Sequence, residues 1–124
     1  MKVLGIDPGS THTGYALLEG VNSHLECLAI GRISPQRSQK FPQRLLAIYE
    51  RIQELLACYH PDAMAVEDVF SGINARTALR LGQARGIVLL AAAKARIDVY
   101  DYPPMVVKKA VVGQGRASKS QVSF

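Results

Sequence analysis

Gly5-Ile6-Asp7-Pro8-Gly9-Ser10 follows a short apolar strand, Val3-Leu4, and leads through Gly14 into a second, Tyr15-Ala16-Leu17-Leu18. The hairpin sets one carboxylate, Asp7, at the end of a buried strand and directly before a Pro-Gly turn. An isolated charge among apolar neighbours is strongly disfavoured, so that carboxylate must be paired, protonated or bound to a cation. An Asp before Pro-Gly also caps such a turn with its own side chain. Nothing within the stretch decides between the two readings; a second acid further along does.

Residues 25–33 form a third extended segment, closed by Ser34-Pro35, so the chain opens as an antiparallel meander. The hydrophobic period then changes. Phe41, Leu45, Ile48, Ile52, Leu55 or Leu56, and Tyr59 make one stripe of an amphipathic helix that stops before Pro61, with Arg44, Glu50, Arg51 and Glu54 on its solvated face. Residues 63–67, Ala-Met-Ala-Val-Glu, read as a buried strand that again ends in a carboxylate, Glu67. A loop through Ser71, Gly72, Ile73 and Asn74 leads to a second helix over 75–95, with Gly82 and Gly86 on one face, where small residues permit close backbone approach. Residues 97–100 are a fifth strand. Pro103-Pro104 opens a short helix to Val112, and Ser118 with Gln121 matches a capping box. Three meander strands followed by helix, strand, helix, strand and helix give an α/β domain with a mixed five-stranded sheet flanked by helices.

The 124 residues, 48% of them hydrophobic, suit one domain with one core, residues 1–124. A net charge of +5 and a pI of about 9.5 favour a polyanionic partner such as nucleic acid or an acidic membrane surface. The longest apolar run, residues 87–93, falls far short of the roughly 20 residues of a spanning helix. It belongs to a core or interface helix. The N-terminus has no cleavable signal pattern, which places the chain in the cytoplasm. Cys27 and Cys58 have neither metal-ligand nor disulfide-framework spacing and read as buried thiols.

Asp7 and Glu67 both terminate apolar strands, and the ends of such strands face the crevice where α/β sites sit. If the strands are neighbours, the two carboxylates converge and repel unless a proton or cation lies between them; oxygen ligands of this kind suit Mg²⁺ or Mn²⁺. Either acid alone reads more simply as a turn cap. As a pair at equivalent strand ends in a basic protein, they read better as a metal site for phosphoryl chemistry, with both residues as ligands. Asp68 points to the other face of its strand and takes a supporting role. Arg76 and Arg80 share a helix face just beyond the second acid, and after Asp101 the chain carries Lys108, Lys109, Arg116 and Lys119 without an acid. These residues form a candidate phosphate-contacting track, against the alternative of an ordinary solvated surface. Phe70, in a Gly/Ser loop, is either core or an exposed platform for an unstacked base. His12, near the Asp7 turn, has no partner at ligand spacing.

These residues resemble a family. Gly5-Ile6-Asp7-Pro8-Gly9-Ser10 with Thr13-Gly14, Val66-Glu67-Asp68-Val69-Phe70, Asn74-Ala75, the run from Leu79 to Gly86, and Val107-Lys108-Lys109 through Lys119-Ser120-Gln121-Val122 closely resemble the RuvC-type Holliday-junction resolvases, collinearly over nearly the whole chain. The resemblance implies an RNase H-like fold, a homodimer, and Mg²⁺-dependent nicking of two opposed strands at a four-way DNA junction during recombination and repair. It implies Asp7 and Glu67 as metal-binding catalytic acids, Phe70 as a base-stacking aromatic, Lys108 and Lys119 as DNA contacts, and the Gly82/Gly86 helix at or near the dimer interface. A branch-migration complex is the partner it suggests.

Two departures qualify that expectation. Ile73 stands where the family usually carries a basic residue, with Arg76 nearby as a substitute. The family continues through a helix to a segment bearing its remaining catalytic acids, whereas this sequence ends at Phe124 with no acid after Asp101. The expectation is therefore a nuclease domain lacking the acidic C-terminal helix, and its alternative is a catalytically inactive junction-binding protein. Sugar-kinase and actin-like ATPases share a Gly-Ile-Asp-x-Gly hairpin but need two such domains, which 124 residues cannot supply. A Walker A loop is excluded because no Gly-Lys-Ser/Thr follows Gly9-Ser10.

Overall fold

A computed structural model describes residues 1–9, 11–67 and 73–102. Its elements are β1 (Lys2–Asp7), β2 (Thr13–Val21), β3 (His24–Ile33), α1 (Phe41–Tyr59), β4 (Ala63–Glu67), α2 (Ala75–Ala95) and β5 (Asp98–Tyr102). The short helix expected after Pro103 and the capping box at Ser118 lie outside the described residues.

The five strands form one sheet in the order β3-β2-β1-β4-β5. β2 is antiparallel to β1 and β3, while β4 is parallel to both β1 and β5, so every strand except β2 runs toward the same edge. The meander is closed by a two-residue turn in which Asn22 and Ser23 take positive φ, 49° and 66°, as a hairpin of this twist requires. β3 is an edge strand, and its pairing with β2 slips between Leu17 and Leu18, where the opposing residue moves from Ala29 to Cys27. Leu28 is the extra residue of this bulge, which periodicity alone does not reveal.

Both described helices cover one face of the sheet. Leu4, Ile6, Leu17, Met64 and Val66 project from that face into a cluster with Ile48, Ile52, Leu55 and Leu56 of α1 and Val88, Ala91 and Ala92 of α2. The α1 stripe is buried at its centre, and Phe41, Leu45 and Tyr59 toward its ends are half-buried. Tyr15 extends over β3, where a side chain on residue 31 would come within 2.6 Å of its hydroxyl oxygen. Gly31 leaves room for the ring where it lies, and the hydroxyl accepts a 3.3 Å hydrogen bond from Arg51 of α1, tying the helix to the meander. Arg85 of α2 makes an ion pair with Asp101 of β5, joining helix and strand on the opposite flank.

The cysteines differ from the sequence-based reading. Cys58 is exposed on the outer side of α1, and Cys27 is only half-buried beside the bulge. Burial nonetheless pushes the Cys27 thiol up, partly offset by the hydrogen bond it donates to the Ala29 carbonyl. No helix among the described residues is long and apolar enough to cross a membrane.

Ile52 is fully enclosed, whereas Leu46 on the same helix is 54% exposed. Urea unfolding should show Ile52→Ala losing about 2–5 kcal/mol and Leu46→Ala less than about 0.5 kcal/mol. Equal losses would mean that α1 packs through a different face.

Candidate functional site

The parallel ladder between β1 and β4 pairs Val3 with Ala63, Leu4 with Met64, Gly5 with Ala65 and Ile6 with Val66. Asp7 and Glu67 are the next residues on the two strands. They end adjacent strands about 5 Å apart and lie on the face opposite Ile6, Val66 and the helices. Glu67 is 1% exposed and Asp7 is half-buried. Among the described residues no group of three or more His, Cys, Asp or Glu side chains assembles into a metal-binding cluster. The donor set is thus two hard carboxylates. It fits a Mg²⁺-class ion, which is commonly held by one or two carboxylates with water and substrate phosphates completing the shell.

The surroundings of the pair follow from register. Asp7 pairs with Gly14 and Gly14 with Arg32, so Arg32, Gly14, Asp7 and Glu67 form one row across the sheet on one face. The row beneath runs through Ile30, Ala16, Gly5, Ala65 and Tyr100, so only small residues stand directly below the two carboxylates. The return from Asp7 to β2 is tight: a side chain on residue 9 would collide with the backbone carbonyl of His12, so only glycine fits there. The Thr13 hydroxyl, just past this turn, is fully buried and has no hydrogen-bond partner among the described residues.

Both helices begin at the edge that carries the carboxylates, because the strands preceding them, β3 and β4, end there. Asn74 caps α2 by accepting a 2.8 Å hydrogen bond from the Thr77 amide. Arg76 and Arg80, one turn apart, sit in different environments. Arg76 is exposed, while the Arg80 guanidinium lies 4.3 Å from the centre of the Phe41 ring at the start of α1, with Arg44 at 5.9 Å from the same ring. Phe70, Asp68, Lys108 and Lys119 lie outside the described residues. His12 is exposed.

Away from the edge, α2 presents an apolar ridge. Leu79, Leu89 and Leu90 are 63%, 37% and 55% exposed, and a Cβ added at Gly82 or Gly86 would meet nothing within 4 Å. Among the described residues nothing packs closely on either glycine.

Sequence reasoning brought Asp7 and Glu67 together, as the ladder does, but passed over Arg32. Arg32 joins the carboxylate row only through two successive strand pairings, and no spacing in the sequence encodes that.

Comparison with known proteins agrees with this architecture. The family model described as crossover junction endodeoxyribonuclease RuvC matches residues 3–124. The protein of that name from Trichlorobacter lovleyi is 51% identical over 122 residues, which cover 98% of this chain and 68% of the relative. That from Syntrophomonas wolfei is 45% identical over 124 residues, covering 100% of this chain and 72% of the relative. Among solved structures, T. thermophilus RuvC in complex with a Holliday junction substrate superposes with a TM-score of 0.81 at 34% identity, covering 90% of this chain and 72% of that one. The match of residues 3–124 and the identity to these relatives establish that the chain belongs to the crossover junction endodeoxyribonuclease RuvC family.

Proposed function

We propose that this chain is a structure-selective DNA endonuclease that resolves four-way junctions in recombination and repair by nicking two opposed strands. The observation that carries the reading is the in-register pair Asp7 and Glu67 at the ends of adjacent parallel strands. It is supported by family membership and by the similarity to a resolvase solved with its junction substrate.

Asp7 and Glu67 would hold Mg²⁺, with Mn²⁺ as the substitute such oxygen donors accept. When bound, the ion supplies Lewis-acid activation of water and neutralises charge on the departing oxygen. The chain's own residues do the rest. The Pro8-Gly9 turn fixes the aim of the Asp7 carboxylate, and the strand holds Glu67 out of bulk water. Arg76, Lys108 and Lys119 neutralise phosphates of the junction, and Arg80, steadied by the Phe41 ring, joins them at the start of α2. Phe70 stacks on a base left unpaired at the crossover. Two opposed nicks require two such sites, and the exposed ridge of Leu79, Gly82, Gly86 and Leu90 supports a homodimer through α2. A branch-migration complex is the partner that the family resemblance suggests.

Asp7→Asn and Glu67→Gln should each slow Mg²⁺-dependent cleavage of a labelled four-way junction on the order of 100-fold or more, leaving junction binding in EDTA within a few-fold. Unchanged nicking by either variant removes the carboxylate pair from the mechanism. Metal-independent junction binding by the wild type, with no cleavage in Mg²⁺ or Mn²⁺, identifies a binding protein instead.

The α2 ridge has its own test. Leu79→Glu combined with Leu90→Glu should convert a dimer into a folded monomer in sedimentation velocity; a wild type that stays monomeric at micromolar concentration rules out this interface.

A further inference from the structure

Between Glu26 and Glu50 the chain contains no acid, yet it carries Arg32, Arg37, Lys40 and Arg44. The fold gathers this run at one place. Arg32 lies near the end of β3, Arg37 and Lys40 lie in the connection that follows, and Arg44 is in the first turns of α1. Arg32, Arg37 and Lys40 are exposed, and none of the three takes part in an ion pair among the described residues.

The local electrostatics oppose this arrangement. Lys40 occupies the N-cap of α1 without a side-chain capping hydrogen bond, and the first turn of α1 contains no acid. Helix N-termini favour Ser, Thr, Asp or Asn at that position and carry partial positive charge, which disfavours nearby cations. The first turn of α2, at the same edge, also lacks an acid. Cations at both helix starts, Lys40 on α1 and Arg76 on α2, go against the local charge preference, and such departures mark functional surfaces.

Position decides which anion. Arg32 shares its row with Gly14 and Asp7, two strand spacings or about 10 Å from the carboxylate, roughly three base-pair rises along the axis of a duplex. Gly14 between them puts no side chain in the way. We infer that Arg32, Arg37 and Lys40 form a second phosphate-contacting surface, on the β2–β3 side of the carboxylate pair, that carries the backbone of one duplex arm away from the site. This inference rests on the junction-nuclease reading and extends it. The track on the α2 side then holds DNA on one flank, and the β3–α1 shoulder holds it on the other. The surface meets phosphate alone, so it adds affinity without sequence preference.

The test is the salt dependence of binding, measured in EDTA with a four-way junction and with plain duplex. The combined Arg32→Gln, Arg37→Gln, Lys40→Gln variant should lower the slope of log affinity against log salt by roughly 2 to 3, about 0.9 for each phosphate no longer neutralised, on both DNAs. The charge-keeping set Arg32→Lys, Arg37→Lys, Lys40→Arg should retain the wild-type slope. Lys94→Gln with Arg96→Gln, at the far end of α2, serves as the control for net charge alone, and circular dichroism confirms that each variant is folded. An unchanged slope in the triple variant, or an equal change per charge in the far-end control, overturns the inference. Either result leaves the junction-nuclease reading standing, provided the wild type binds the junction. A wild type that binds neither DNA overturns both.

Discussion

Parallel pairing sets Val3, Leu4, Gly5 and Ile6 of β1 against Ala63, Met64, Ala65 and Val66 of β4, and the site depends on the next step of that ladder. Side chains alternate faces along a strand, so a slip of one residue would exchange Glu67 with Val66 and drive a carboxylate into the helix-covered core. The apolar cluster of Leu4, Ile6, Met64 and Val66 with Ile52 and Val88 forbids that slip. The same alternation that buries the core on one face thus delivers two carboxylates together on the other. Packing and the site are two consequences of one register.

Direction is the second consequence of topology. Because β1, β3, β4 and β5 all end at one edge, the loops and helix starts that follow β3 and β4 collect there too. Among the described residues the acids Asp7 and Glu67 stand at strand ends at this edge, and Arg37, Lys40 and Arg76 stand on the turns and helix starts around them. Phe41 contributes by giving Arg80 and Arg44 a ring to rest on, which limits the rotamer freedom these side chains would otherwise lose on meeting a ligand.

Much of this was legible in the sequence, for identifiable reasons. β4 and α2 are bounded as their patterns indicate, β4 by the apolar run between Pro61-Asp62 and Glu67, α2 by Asn74 at its start. The placement of Asp7 and Glu67 at neighbouring strand ends was legible because each stands where an apolar strand stops. β5 proved shifted, running over Asp98–Tyr102, since Ile97 belongs to the turn out of α2 while its side chain still packs on the core. The thiols were misjudged because cysteine burial is a tendency of the residue type and carries no information about which side of α1 position 58 takes. Arg32 was missed for a deeper reason: a row across a sheet is defined by hydrogen bonds between strands distant in sequence, and the bulge at Leu28 shows how one residue resets that accounting.

The bulge has a further consequence. β3 is ten residues long and lies at the sheet edge, with Leu25 and Leu28 exposed, so its unpaired backbone could recruit a strand from another molecule. A break in the pleat at Leu28 divides that edge into two shorter segments, and Glu26 and Arg32 put a charge on each. An irregularity that looks like a flaw in the ladder is a safeguard against edge-to-edge strand addition, the one mode of association that would extend the sheet without limit.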